Sequence, residues 1–147
     1  MNQNLKHKIF LLLKKLILIA VFLFVFTFLE IYWAMGSFSE RMSSGCLDCS
    51  FFDDAYLMSV FTTIFLTIVF LFLTLIKNKY LQIGLEFICL IFLWFLWDYG
   101  IFVDRESAWS TYLLNEEIMY TLSFSFFPIL VLSTVMLVAL HYILKKL

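Results

Sequence analysis

Four long apolar runs constrain the fold of this chain more than any other feature. They cover about residues 9–35, 55–76, 81–102 and 117–143, and a helix needs roughly 20 apolar residues to cross a bilayer. Because lipid offers the backbone no hydrogen-bonding partner, such runs form helices. The chain of 147 residues is 64% hydrophobic and 14% charged, so little of it remains outside the lipid. The sequence therefore predicts one all-α domain over 1–147, an integral membrane protein with four transmembrane helices.

The cations are divided unequally between the two ends of the predicted bundle. Arg41 and Arg105 fall at one end, and the lysines flank the other end. These lysines are Lys6, Lys8, Lys14, Lys15, Lys77, Lys79, Lys145 and Lys146. By the positive-inside rule the lysine side is cytoplasmic, so we expect a multi-pass protein of the bacterial inner membrane with both termini in the cytoplasm. No basic nucleic-acid surface is present, and Glu86, near the lysine side, is expected to pair with Lys77 and Lys79.

An internal repeat relates the two halves of the chain. The segment Phe28–Ser43 recurs 64 residues later as Phe92–Ser107, although the chain contains only four Trp and four Gly. The matched pairs include Trp33/Trp97, Gly36/Gly100, Phe38/Phe102, Arg41/Arg105 and Ser43/Ser107. A repeat of this kind indicates a duplicated structural unit. We predict two helical hairpins in parallel orientation, repeat 1 over about 9–76 and repeat 2 over about 79–144, related by a pseudo-two-fold axis along the membrane normal.

Two cysteines with two residues between them, Cys46 and Cys49, lie in the predicted outer connection Ser37–Asp54. This spacing suits a disulfide, a redox pair or half of a metal site. The periplasm is oxidising, and we expect a local structural disulfide, with a redox pair as the alternative.

With four spanning helices, cytoplasmic ends and this C-x-x-C motif, the chain resembles the membrane thiol oxidases that reoxidise periplasmic disulfide carriers. The resemblance implies a thiol-disulfide oxidoreductase with Cys46 and Cys49 as its redox pair and a quinone as its cofactor. The chain departs from that family in two respects. The second outer connection, Val103–Asn115, lacks the family's second cysteine pair. Residues 50–54 also lack the arginine expected shortly after the motif for quinone contact.

Two acids, Glu30 and Asp98, fall inside the apolar runs. A carboxylate costs about 2.5–3.5 kcal/mol at the centre of a bilayer. The repeat offset places Asp98 one helical turn outward from Glu30 on about the same face. Arg41 and Arg105 follow on similar faces, so we expect one polar cluster where the repeats meet, with Asp98–Arg105 its closest pair. The candidate binding residues are Glu30, Glu40, Arg41, Asp98, Asp104 and Arg105.

Two interpretations of this cluster are open. An ion pair that fixes helix packing is the simpler one, and a site for an ion, a proton or a partner's charged group is the alternative.

Residue types that carry catalysis are scarce, and little chain lies outside the predicted helices. We therefore expect a non-enzymatic protein without a metal or cofactor that lies in the lipid bilayer and recognises another membrane protein. This class covers immunity against a membrane-inserting toxin, exclusion, and subunits of larger complexes. The alternatives are the redox enzyme described above and a small transporter or channel subunit. The latter would be a homo-oligomer, since four helices enclose little volume.

Overall fold

The computed structural model describes residues 3–146, and the side chains of residues 9–146. Within this range the chain forms four long α-helices joined by short connections, with no strand. The helices are α1 (Gln3–Met35), α2 (Phe51–Leu73), α3 (Lys79–Arg105) and α4 (Leu114–Lys146). All four are long and apolar enough to cross a membrane. The prediction of an all-helical chain with four candidate spans is confirmed.

Side-chain caps explain why three helices begin earlier than their apolar runs. Ser50 caps α2 by accepting a hydrogen bond from the amide of Asp53, whose carboxylate accepts one from the amide of Ser50. The side chain of Asn78 accepts hydrogen bonds from the first amides of α3, and Glu116 accepts one from the amide of Leu113 before α4. Such caps pair backbone groups that a helix start leaves free. As a result α2 begins at Phe51, where the apolar pattern predicted about 55.

The helices form a ring in which α1 packs against α2 and α4, and α3 packs against the same two helices. Helices α1 and α3 also meet across the centre. The middle of the bundle is filled by the fully buried Leu23, Leu66, Leu90, Trp94 and Met136. A second apolar cluster, which includes Phe38 and Phe102, lies nearer to the two arginines. The outer faces carry many exposed Leu, Ile and Phe side chains, as a surface in contact with lipid requires.

The bundle ends in two regions, the outer cap and the Lys end. The outer cap comprises the connections 36–50 and 106–113, which hold short 3-10 turns at Gly36–Phe38 and Ser107–Trp109. The Lys end comprises residues 9–19, 71–86 and 141–146, at the opposite end of the helices.

Candidate functional site

Glu30 of α1 and Asp98 of α3 form a buried pair of carboxyl groups. Both side chains have 0% exposure, and they lie close enough to interact directly. They meet because α1 and α3 face each other across the middle of the ring. We call these two side chains the carboxyl pair.

The carboxyl pair is surrounded by further oxygen atoms, and no Lys, Arg or His side chain pairs with it among the described residues. Ser125 of α4 lies beside Asp98, and Thr121 lies one turn earlier on the same helix. Both hydroxyls are fully buried. Among the described residues no hydrogen bond of good geometry reaches either hydroxyl or any of the four carboxyl oxygens, although Asp98 lies close to both Glu30 and Ser125. Unpaired buried polar groups are costly, so this cluster is an unusual feature of the bundle.

Apolar layers separate the carboxyl pair from both ends of the bundle. Toward the Lys end lie Leu23, Leu90 and Trp94, each with 0% exposure. Toward the outer cap lie Met35 and Phe102, with 0% and 1% exposure. In this environment two ionised carboxylates would repel each other strongly, whereas one shared proton would make one carboxyl a donor to the other. The arrangement can therefore hold a proton, or a small cation that accepts oxygen ligands. Among the described residues no group of three or more His, Cys, Asp or Glu could hold a metal ion.

The predicted Asp98–Arg105 pair is wrong. The guanidinium of Arg105 forms an ion pair with Asp54 and donates to the carbonyl oxygens of Arg41, at 2.6 Å, and Cys49, at 3.3 Å. Asp98 lies seven residues before Arg105, about 10 Å along the helix axis. This separation is too long for the two side chains to form an ion pair. The first connection instead folds over the end of α3 and presents its carbonyl groups to the arginine, which is only 2% exposed.

The other candidate residues at this end belong to the outer cap. Arg41 pairs with Glu106, and its side chain is half-exposed. Asp104 accepts hydrogen bonds from the hydroxyl of Ser44 at 2.8 Å and from the amide of Gly45 at 2.9 Å. Glu40 is exposed, and no ion pair involves it among the described residues. The structure thus brings Glu30 and Asp98 together, and it places both arginines and Asp104 in a separate network.

Glu117 of α4 makes contacts that the sequence did not predict. Its carboxylate accepts hydrogen bonds from Tyr99 at 2.8 Å and from Ser107, and so ties the second connection to α4. The position of Glu117 in the first turn of a helix is favourable by itself, so its sequence context gave no reason to expect these partners.

Cys46 and Cys49 lie at disulfide-bonding distance within the outer cap. The expected local disulfide is therefore compatible with the fold. The third cysteine of the chain, Cys89, is a partly buried residue of α3 and is not bonded to either. The resemblance to thiol oxidases requires a second cysteine pair that relays electrons. With three cysteines in the chain, Cys89 has no cysteine left to pair with.

The expected pairing of Glu86 with Lys77 and Lys79 is also wrong. The Glu86 carboxylate accepts a hydrogen bond from Gln82 at 2.7 Å and lies 3.3 Å from His141 of α4. Lys79 reaches only Gln82, at 3.1 Å. Lys79 precedes Glu86 by two helical turns, whereas Gln82 lies one turn from Glu86.

No protein-family model, no curated protein and no solved structure matches this chain.

Proposed function

We propose that this chain is a non-enzymatic accessory protein of the bacterial inner membrane that binds another membrane protein through its outer cap. The observation that carries the proposal is the shape of that cap, in which two separate connections are fastened to each other and to the helix ends. A surface held in one conformation loses less entropy on binding than a mobile one.

Arg105 makes the contacts that join α2, α3 and the first connection of the outer cap. It lies at the end of α3 and binds Asp54 of α2 together with carbonyl oxygens of the first connection. Asp104 holds the same connection through Ser44 and Gly45. The indole of Trp109, in the second connection, donates to the carbonyl of Met42 at 3.1 Å. These contacts are internal, so they leave other side chains of the cap available to a partner.

The exposed charged side chains of this surface that make no ion pair among the described residues are acidic. Glu40 and Asp48 are exposed and make no side-chain hydrogen bond or ion pair among the described residues. The exposed cation of the cap, Arg41, is already paired with Glu106. The cap therefore suits a partner with a basic surface, because opposite charge steers association and selects the partner. An immunity protein against a membrane-inserting toxin, an exclusion protein and a complex subunit all fit this description.

A photo-reactive amino acid placed at position 48 of the full chain tests this proposal in cells. We expect ultraviolet light to join the chain to one protein of defined mass from position 48. The matched control is position 75 at the Lys end, where Leu75 is 78% exposed; it should yield lipid adducts but not the same protein. Equal protein adducts from both positions, or none from position 48, would rule out the cap as a specific contact surface.

Contacts between equivalent residues support the proposed parallel duplication. Residues near a two-fold axis contact their own equivalents, and Phe38 meets Phe102 edge to face with ring centroids 5.7 Å apart. Arg105 likewise donates to the carbonyl of its equivalent, Arg41. The positive-inside rule supports the proposal that the Lys end is cytoplasmic. With that orientation the cap faces the periplasm, where a disulfide between Cys46 and Cys49 would persist.

The carboxyl pair favours a second candidate function, a proton- or cation-coupled subunit of an oligomeric transporter or channel. Ionisable groups inside a membrane often mark ion or proton pathways. In proteoliposomes the wild-type chain should then carry a proton or sodium flux that Glu30→Gln and Asp98→Asn each reduce at least roughly tenfold, as expected when a required proton carrier is removed. Glu40→Gln, on the exposed cap, is the matched control. A flux that is absent, or unchanged in the two buried variants, would exclude this candidate.

A further inference from the structure

A cavity of about 720 Å³ opens between the helices at the Lys end. Residues from all four helices line it, so it lies where the four helices come together at this end of the bundle. Its volume lies within the range of roughly 300–1,000 Å³ that is typical of small-molecule sites. The polar residues that line it are Lys15, Thr74, Lys79, Gln82, His141 and Lys145.

The charge of this cavity is positive. Three lysines line it, one each from α1, α3 and α4, and no acidic side chain is among its lining residues. The nearest acid, Glu86, is 3% exposed and already has Gln82 and His141 as partners. Lys15 and Lys145 make no ion pair among the described residues. An anion that entered the cavity would therefore meet cations without a competing carboxylate.

The remaining wall of the cavity is hydrocarbon. Leu16 and Ile19 of α1, Leu71 of α2, Ile83 of α3 and Leu144 of α4 contribute to it. A ring of cations beside an apolar chamber matches a molecule with an anionic head and an apolar chain. Such molecules are abundant where a helix bundle leaves the bilayer, and basic pockets between transmembrane helices bind anionic lipid headgroups.

We propose that this cavity binds an anionic phospholipid, with the phosphate between Lys15, Lys79 and Lys145 and part of an acyl chain against Leu16 and Ile83. Lys79 is oriented by its hydrogen bond to Gln82 at 3.1 Å, which fixes one of the three cations at the edge of the chamber. The shared chemistry is a phosphate group, and a soluble phosphate is the competing source. The apolar wall favours the lipid, because free phosphate gains nothing from it.

The chain offers a matched set of control lysines. Lys14, Lys77 and Lys146 are close neighbours of the three cavity lysines in sequence and lie at the same end, but they do not line the cavity. The cavity variant is Lys15→Gln/Lys79→Gln/Lys145→Gln, and the control variant is Lys14→Gln/Lys77→Gln/Lys146→Gln. Both variants lose the same charge, so only the position of that charge differs.

Binding is measured by native mass spectrometry and by thermal unfolding of the full chain in neutral detergent, with phosphatidylglycerol, phosphatidylcholine or inorganic phosphate added. We expect phosphatidylglycerol to bind and to raise the unfolding temperature. The cavity variant should bind it about 100-fold more weakly, given roughly a fivefold effect for each lysine, while the control variant changes by less than about threefold. Ile83→Trp, which fills the apolar chamber and keeps all three lysines, should also weaken binding.

Each contrary result identifies a different error. An equal loss in the cavity and control variants would mean that overall surface charge attracts the lipid. Equal binding of phosphatidylcholine would mean that the three cations select nothing. If inorganic phosphate raises the unfolding temperature and phosphatidylglycerol does not, and if Ile83→Trp leaves the effect of phosphate unchanged, the site binds a soluble anion. If the cavity variant fails to fold, unweakened binding of phosphatidylglycerol to Ile83→Trp overturns the proposal.

Discussion

Replacing Arg105 by alanine should lower the free energy of unfolding by about 3 kcal/mol, whereas the same change at Arg41 should cost less than about 1 kcal/mol. The two arginines occupy equivalent positions of the repeat, but their surroundings differ. Arg105 is 2% exposed and joins Asp54 to two carbonyl groups. Its removal leaves a carboxylate and two carbonyl oxygens without their donor. Arg41 is half-exposed and makes one ion pair, which water can replace.

The measurement is denaturant-induced unfolding of both variants in the same detergent, followed by circular dichroism. A double-mutant cycle separates the partners of the arginine. Arg105→Ala and Asp54→Asn should couple strongly, so that the second change restores part of the lost stability, while Arg105→Ala and Asp98→Asn should be additive. Equal losses for the two arginine variants would show that the cap does not depend on Arg105. Coupling to Asp98 and not to Asp54 would contradict the ion pair between Arg105 and Asp54.

Replacing the carboxyl pair by amides, Glu30→Gln/Asp98→Asn, should raise the free energy of unfolding by about 1–3 kcal/mol. The amides nearly preserve the shape of the side chains and remove the like charges. They also supply N–H donors to a site whose carboxyl oxygens have no partner among the described residues. Leu23→Ala, at a fully buried position of the same helix, is the control and should lower stability by about 2–5 kcal/mol.

The unfolding assay and the flux measurement together decide between the two interpretations of the carboxyl pair. If the amide variant is more stable but loses a proton or cation flux, the carboxyl groups are kept for function at a cost in stability. If the amide variant is destabilised by more than about 1 kcal/mol, the carboxyl groups stabilise the packing of α1 on α3. That second outcome would contradict the expected gain.

The four helices could be predicted from sequence because length and hydropathy alone decide whether a segment can satisfy its backbone in lipid. The first residue of a helix depends on local side-chain caps, so α2 begins at Phe51 where Ser50 and Asp53 form a capping box. The contacts of Arg105 could not be predicted, because they depend on carbonyl groups of a connection that folds back over α3. Helical spacing places side chains on a face but does not say how far an end connection reaches.

For the carboxyl pair, too, the unusual residues could be predicted from sequence, whereas their neighbours from another helix could not. Two acids inside apolar runs identified Glu30 and Asp98 as unusual. The hydroxyl of Ser125 could not be associated with them, because α4 lies far along the chain and its rotation is set by packing. The partners of Glu86 follow the same rule: Gln82 is within one turn and could have been recognised, whereas His141 comes from another helix.

Whether the outer cap binds a partner is tested most directly by the mass of the complex that the chain forms in native membranes. After extraction in mild detergent, the wild-type chain should be found in a complex with a second protein. The mass of that complex should be well above the 17.5 kDa of the chain itself. The variant Glu40→Lys/Asp48→Lys should lose that protein, whereas Lys77→Glu/Lys146→Glu, with two reversals at the Lys end, should keep it. A cap variant that retains the complex, or a wild-type chain accompanied only by lipid or by copies of itself, would contradict the proposed role.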